Sequence, residues 1–600
     1  MKQLPLLLCV IVATILAPAS PVRAQAPAAA QDPAQDIATR SRELDALFND
    51  IWQDKLKHDP EYATYLGDKR YDAELTDYSP SAVNDSLARG RGYIDRLSAI
   101  DTTGLSHQQQ LSAELMLRSL VEDQEGAPFK EWEMPVNQYD GIQLDLPQLP
   151  LHTSFDTADD YDNYIARLGK VPHAFSQIMT NMQTGVDDHR TPPQYLMEQV
   201  LAQVQGIAAQ KPADSPFALQ LKKFPASIPA ADQKRITEDL LNAIATQVLP
   251  SYQHFAKFLS GAYIPNCRKD PGIWALPDGD AYYAFLVRQS TTLDKTPADI
   301  HQIGLDEVKR DEAEMLVIVH QLGFADLKTF AAALKANPKE HPASADALIA
   351  AFKGHIAQME PRLPQLFGTL PKAKLDVVEM PAYIAPNQAA AFYDQGTPDG
   401  KRPGKVDVNT YHWADRSLAD VEAISYHEGI PGHHLQISIA QELTGLPPFR
   451  QQSYYTAYTE GWALYSERLG KEIGFYQDPY SDYGRLEADM WRAIRLVVDT
   501  GVHSQHWTRQ QMVDYFHAHS AMDDTSVQEE VDRYIGWPAQ ALGYKMGQLK
   551  ILELRERAKT ALGPKFDLKA FHDAVLDSGA LPMDVLEKQV DAWIAAQKAQ

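Results

Sequence analysis

The stretch Tyr426-His427-Glu428-Gly429-Ile430-Pro431-Gly432-His433-His434-Leu435-Gln436 gathers three histidines and a glutamate within eight residues. In a zincin helix, His-Glu-x-x-His sets two imidazoles one turn apart on one face, with the glutamate beside them as general base. Here the spacing is longer. At about 1.5 Å of rise per residue, His427 and His433 would lie about 9 Å apart along an unbroken helix, and His427 and His434 about 10.5 Å. Two imidazoles on one zinc ion must each approach to about 2.0–2.1 Å, so a continuous helix serves neither pair. The sequence supplies the means of interruption. Pro431 cannot donate to the carbonyl of His427 and clashes with it, while Gly429 and Gly432 accept the dihedrals of a bulge. Counted from a regular zincin helix, His433 as the second ligand needs two extra residues to bulge and His434 three, which favours His433. Upstream, Ser417-Leu418-Ala419-Asp420 reads as a capping-box start for the helix leading in.

Histidines beside a Pro-Gly kink are also what a helix end satisfied by imidazole hydrogen bonds looks like, and a third ligand separates the two readings. After the break at Gly445-Leu446-Pro447-Pro448, a new helix carries Tyr458-Thr459-Glu460-Gly461-Trp462-Ala463-Leu464-Tyr465-Ser466-Glu467. Glu460 on an antiparallel neighbouring helix completes a His, His, Glu set with one open position for water, and Gly461 beside it lets another backbone approach closely. Glu467 lies two turns further on the same face and reads as a solvated carboxylate or one supporting a ligand from behind.

The surroundings of this cluster read as helices almost throughout. Apolar residues recur three and four apart in Leu44, Leu47, Ile51 and Trp52, in Ile300, Ile303, Leu305 and Val308, and in Leu486, Met490, Ile494 and Val497. The run Lys374 to Tyr383 is rich in β-branched residues and fits at most a small β-ribbon near the site, while 264–279 and 396–404 are Pro/Gly-rich loops. The fold class expected is all-α, from about Ile37 to the C terminus, with the chemistry concentrated in 380–550. No fixed-period repeat is present.

Among 600 residues, 44% are hydrophobic and 23% charged, ordinary globular usage that excludes disordered and fibrous classes. The net charge of −24 disfavours a nucleic-acid partner, whose phosphates demand a basic face. Lys2, the apolar stretch Leu4–Ala17 and the small residues around Val22-Arg23-Ala24 form a signal peptide, with cleavage expected after Ala24 and a flexible leader over 25–36. Export to the periplasm or medium follows, with no membrane span, since no later apolar run is long enough. A lipoprotein would need its cysteine just after the apolar stretch, whereas Cys9 lies inside it. Cys267 then stands alone, which excludes an intramolecular disulfide.

The runs His427 to Gln436 and Glu460-Gly461-Trp462-Ala463-Leu464-Tyr465 resemble the bacterial domain-of-unknown-function 885 family, which looks like zinc metallopeptidases. Arg495-Leu496-Val497-Val498-Asp499-Thr500-Gly501-Val502-His503 and Trp537-Pro538-Ala539-Gln540-Ala541-Leu542-Gly543-Tyr544-Lys545-Met546-Gly547 are similar to its later motifs, as is the pattern from Gly304 to Gly323. Ala539 stands where that pattern leads one to expect Gly. Gly432 before His433 likewise resembles the Gly-His pairing of several helical metallopeptidases. The resemblance implies a cleft-containing, zincin-like helical architecture and peptide substrates.

Roles follow from chemistry. Zinc on His427, His433 and Glu460 acidifies its water, with Glu428 as the base. The developing oxyanion needs a donor, and Tyr544, His503 and Arg495 are the candidates, Tyr544 preferred as a phenol in a Gly-flanked loop that donates without adding charge. Arg495, Asp499 and His503 are four apart on a helix and also suit a mutual network. His434 would then support Glu460 or face substrate. Two other functions use the same residues: hydrolysis of a non-peptide amide or ester, and metal or peptide binding without catalysis. Retention of Glu428 argues against the second. No Gly-x-Ser-x-Gly elbow is present.

Overall fold

The computed structural model describes residues 33–599 apart from 382–384, 386–388 and 398. The expected signal peptide and most of the expected leader lie outside these residues. The first helix, Pro33–His58, begins four residues before Ile37, so the end of the leader belongs to it.

The chain is mostly helical, and its helices start where side chains satisfy the free N–H groups of the first turn. Reciprocal capping boxes are made by Thr157 with Asp160, Thr296 with Asp299 and Thr508 with Gln511. An N-cap of this kind is worth about 1 kcal/mol. The apolar stripe Leu486, Met490, Ile494 and Val497 of helix Pro479–Ser504 is buried, as its spacing predicts, and the helix packs along Pro297–Gln321. Helix Thr456–Glu472 packs as closely on Leu542–Leu562. There, a Cβ on Gly461 would lie 2.6 Å from the Cα of Gly547, and one on Gly547 would lie 1.7 Å from the carbonyl oxygen of Ala457. Both positions exclude any side chain, which is the close approach anticipated for Gly461.

Charge also ties these helices together. Lys545 is fully buried, with Nζ 2.6 Å from Asp489, 3.1 Å from Glu307 and 3.8 Å from Asp311. Burial opposes the charged lysine, but Asp489 and Asp311 outweigh it and hold the ammonium above its ordinary pKa. One cation therefore spans three helices, and it shares its carboxylates with Arg310, which lies 2.8 Å from Glu307, 2.6 Å from Asp311 and 3.0 Å from Asp489, so removing Lys545 would leave three carboxylates to a single guanidinium.

The β-structure is larger than the ribbon expected. Strands β1 (Leu375–Glu379), β2 (Ala391–Asp394) and β3 (Gly404–Val408) form one sheet in the order β1-β3-β2, with β1 parallel and β2 antiparallel to β3. The segment 396–404, read as a loop, is the turn joining β2 to β3. Alternation was hard to see because Val406 and Val408 are buried while Asp407 is buried as well. The sheet packs through Val377, Val406 and Val408 on Leu348, Phe352 and Val421, which brings edge strand β2 alongside the histidine-rich turn.

A cavity of about 870 Å³ lies between the N-terminal helices and the segments 449–456 and 535–540. Among the described residues, no helix is long and apolar enough to cross a membrane.

Candidate metal centre

A short helix, Val421–Ile424, runs into a π-helical turn, Ser425–Gly429, and there stops. Ile430 is extended, with φ −117° and ψ 133°, and a new helix, His433–Glu442, begins at His433. The interruption is therefore a complete break, more than the two-residue bulge required by spacing alone. The capping box read at Ser417 to Asp420 is not formed: Asp420 makes no cap hydrogen bond, and Ser417 Oγ accepts from Ala419 N at 3.1 Å. Gly432 is what lets the chain fold back, since a Cβ there would lie 1.9 Å from the carbonyl oxygen of His427. The carbonyl of Pro431, freed by the break, accepts from Trp462 Nε1 at 2.8 Å and Ser466 Oγ at 3.2 Å. Helix Thr456–Glu472 thus grips the turn that it completes.

The result is a buried cluster of His427, His433 and Glu460 whose ligand atoms lie within 4.8 Å of one another. Glu460 Oε2 is 3.5 Å from His427 Nε2 and 3.4 Å from His433 Nε2. Ligands about 2.0–2.1 Å from a tetrahedral ion are separated by edges of about 3.3–3.4 Å, so these spacings fit zinc. The charges agree. Burial opposes an imidazolium at His427, but its bonds to Glu460 and Glu467 and the charge of Glu428 push its pKa up to about 10. Burial likewise opposes an ionised Glu460, yet the two histidines hold it well below the usual carboxylate range. Three carboxylates, Glu428, Glu460 and Glu467, thus surround two imidazoles, a donor set that suits a cation.

The residues behind the ligands orient them. Glu467 Oε1 stands 2.7 Å from His427 Nδ1, as a carboxylate supporting that ligand. Glu428, one residue past His427, has Oε1 at 3.9 Å from His427 Nε2, and its Oε2 accepts from the backbone N–H of Tyr393 at 2.9 Å. That N–H is on edge strand β2. Burial raises the pKa of Glu428 above the ordinary value, with the two histidines pulling it back, which suits a group that takes and returns a proton.

The remaining residues fall into different places. His434 turns away from the cluster: its Nδ1 is 3.1 Å from the hydroxyl of Tyr393 and 3.4 Å from Ser438 Oγ, and burial lowers its pKa to about 4. It supports the sheet and makes no bond to Glu460. His503 is fully buried, accepting from Ile273 N at Nδ1 (3.0 Å) and donating from Nε2 to the carbonyl of Tyr534 (2.9 Å). Both nitrogens are spent on backbone, which removes it as an oxyanion donor. Arg495 does not pair with Asp499. Its Nε donates to Tyr534 at 2.9 Å, its Nη2 to Glu530 at 3.1 Å, and its guanidinium lies 4.4 Å from the ring centre of Tyr544. Asp499 instead accepts from Tyr283 Oη and Ala539 N. Ala539 has φ +65°, the left-handed region in which a side chain costs of order 1 kcal/mol and Gly nothing, which accounts for the Gly expected there.

Tyr544 is in helix Leu542–Leu562, not in a loop. Its hydroxyl oxygen accepts from Arg533 Nη2 at 3.1 Å, leaving the phenolic proton free to donate. A second phenol went unseen in the sequence. Tyr454, just ahead of the Glu460 helix, donates to Glu460 Oε1 at 3.0 Å and lines the cavity. Tyr454 is 55% exposed as a residue, but desolvation at its hydroxyl end and the nearby Glu460 hold its pKa above the ordinary value, so it stays protonated. The only sequence signal was its position six residues before the ligand.

A family model described as "Bacterial protein of unknown function (DUF885)" matches residues 60–590. A crystal structure from Colwellia psychrerythraea, described as a "putative lipoprotein", superposes with TM-score 0.88 at 29% identity, covering 93% of this chain and 99% of its own. Another from Shewanella oneidensis, a "putative lipoprotein of unknown function", gives TM-score 0.71 at 18% identity over 92% and 99% of the two chains, a likeness of fold. No curated protein matches.

Proposed function

The chain belongs to the family of bacterial proteins of unknown function DUF885, and from its buried cluster we propose that this member is an exported zinc-dependent peptidase acting on short peptides. The observation carrying this reading is the convergence of His427 Nε2 and His433 Nε2 on Glu460 Oε2, at 3.5 and 3.4 Å, beside Glu428. Zinc held there supplies a Lewis acid that lowers the pKa of water toward about 7 and polarises a carbonyl.

The chain's own residues divide the remaining work. Glu428, held by Tyr393 N–H, takes the proton of the attacking water and delivers it to the leaving amine as the C–N bond breaks. Tyr544, its oxygen fixed by Arg533 and its ring by Arg495, donates to the developing oxyanion. Arg495 is thus a positioning residue. Tyr454 reaches the ligand Glu460 from the cavity side. The cavity of about 870 Å³, which adjoins the cluster through Tyr454, has the volume for a peptide of a few residues. Export rests on the signal-like N terminus and accords with the description of each structural neighbour as a "putative lipoprotein".

The test is hydrolysis of a set of short peptides by zinc-loaded protein and by Glu428→Gln. Wild type should cleave, and the variant should lose at least about a hundredfold in turnover with its zinc retained. Cleavage only of esters or non-peptide amides would redirect the reading, and equal rates for the two proteins would remove it.

A further inference from the structure

Arg533 lies in the last turn of helix Asp524–Gly536 and is one of two guanidinium groups sharing a single carboxylate. Glu530 Oε2 accepts from Arg495 Nη2 at 3.1 Å, and its Oε1 is 3.5 Å from Arg533 Nη1. Two positive charges against one negative leave a surplus of one. Arg495 is buried, 1% exposed, so it cannot meet a ligand, and the surplus is presented by Arg533, whose side chain is 20% exposed. Its Nη2 donates to Tyr544 and to Gln540 Oε1, both at 3.1 Å, and Gln540 lines the cavity together with Trp537 and Tyr454.

The rest of the cavity wall has the opposite character. Asp123, Glu131 and Asp140 line it with no ion pair among the described residues. The cations there are otherwise engaged: Lys55 with Asp59 at 3.2 Å, Arg89 with Asp54 at 3.0 Å, and Arg268 with the carbonyls of Thr191 and Asp270 at 3.1 Å. Arg533 stands just behind the wall, bonded to the lining residue Gln540, so an anionic group repelled by those carboxylates meets the surplus positive charge at this end of the cavity. The planar fork of a guanidinium is also the group that best matches a carboxylate.

Resting on the peptidase reading above, we propose that Arg533 binds the C-terminal α-carboxylate of the substrate and makes the protein selective for free C termini. One tyrosine touches this residue and another touches the metal cluster. Tyr544 accepts from Arg533, and the Tyr454 hydroxyl donates to Glu460. A carboxylate seated at Arg533 therefore places the scissile bond within one or two residues of the chain end, with the amino end extending toward the acidic wall.

The experiment compares a short peptide as free acid, as C-terminal amide, and as an amide ending in Glu, by calorimetric binding to zinc-loaded Glu428→Gln protein and by product analysis with wild type. The free acid should bind at least tenfold tighter than either amide, and wild type should release one or two C-terminal residues from it. Adding Arg533→Gln should abolish the difference, and Arg533→Lys should restore part of it. Glu530 keeps Arg495, Tyr534 and Trp491 as partners in these variants, so charge in the interior stays balanced. If peptides are cleaved but acid and amide bind alike, the inference falls and the peptidase reading stands. Tight binding of the Glu-ending amide would assign Arg533 to side chains and overturn it as well. If no peptide binds or is cleaved, both readings fall.

Discussion

Glu467 Oε1 lies 2.7 Å from His427 Nδ1, on the ring edge opposite the Nε2 that faces Glu460. Both glutamates belong to helix Thr456–Glu472, two turns apart, so one rigid element supplies a ligand and also fixes the tautomer and tilt of another ligand. Glu467→Gln should therefore keep the fold and weaken zinc about 10- to 100-fold, measured by competition with a chromophoric chelator. Unchanged affinity would reduce Glu467 to a packing role.

The two adjacent histidines should behave differently. Successive residues on a helix point about 100° apart, so only one of them can face the cluster. His433→Ala should lose zinc by orders of magnitude in the same titration. His434→Ala should hold zinc within a few fold and instead lose stability or activity through Tyr393, whose backbone holds Glu428. The reverse order would exchange the two assignments.

Much of this site was legible because the chemistry demanded residue types at a spacing. His427, His433, Glu428 and Glu460 follow from zinc geometry together with a Pro-Gly break. What was missed works by other means. Tyr393 acts through its backbone N–H, which carries no residue signature. Tyr454 comes to the site from the loop six residues before Glu460, and Arg533 through helix-end geometry far from the motif in sequence. His503 was misread because a histidine in a motif looks the same whether its nitrogens meet substrate or, as here, two backbone groups. The helical periodicity of Leu486 to Val497 was plain, whereas β3 was hidden by a strand in which Asp407 is buried between Val406 and Val408.

Close approach of the two central helices gives a stability test. Gly547→Ala would drive a methyl group into the Ala457 carbonyl and should cost at least about 1–3 kcal/mol, or prevent folding. Gly354→Ala is the control. No atom lies within 4 Å of its added Cβ, and in helix Ala345–Met359 the change should stabilise by up to about 1 kcal/mol. Denaturant midpoints of the two variants should move in opposite directions.

His503 makes stability depend on pH. Burial lowers its pKa from 6.5 to about 3, so its neutral form contributes fully above pH 6.5, and stability is lost as the pH falls below that value. Between pH 6.5 and 5 this loss amounts to about 1.6 kcal/mol, the slope approaching about 1.4 kcal/mol per pH unit only below pH 6. His503→Gln, which can still bond Ile273 N–H and the Tyr534 carbonyl, should lose correspondingly less over the same range in denaturation curves and retain activity at neutral pH. A variant with unaltered pH sensitivity and abolished turnover would return His503 to the catalytic set.

The central claim, a metal centre on His427, His433 and Glu460, is tested most directly by elemental analysis of the purified mature protein beside Glu460→Ala. Wild type should carry about one zinc per chain, and Glu460→Ala should carry almost none while remaining folded. Absence of any transition metal from wild type, or full occupancy in Glu460→Ala, would contradict the account.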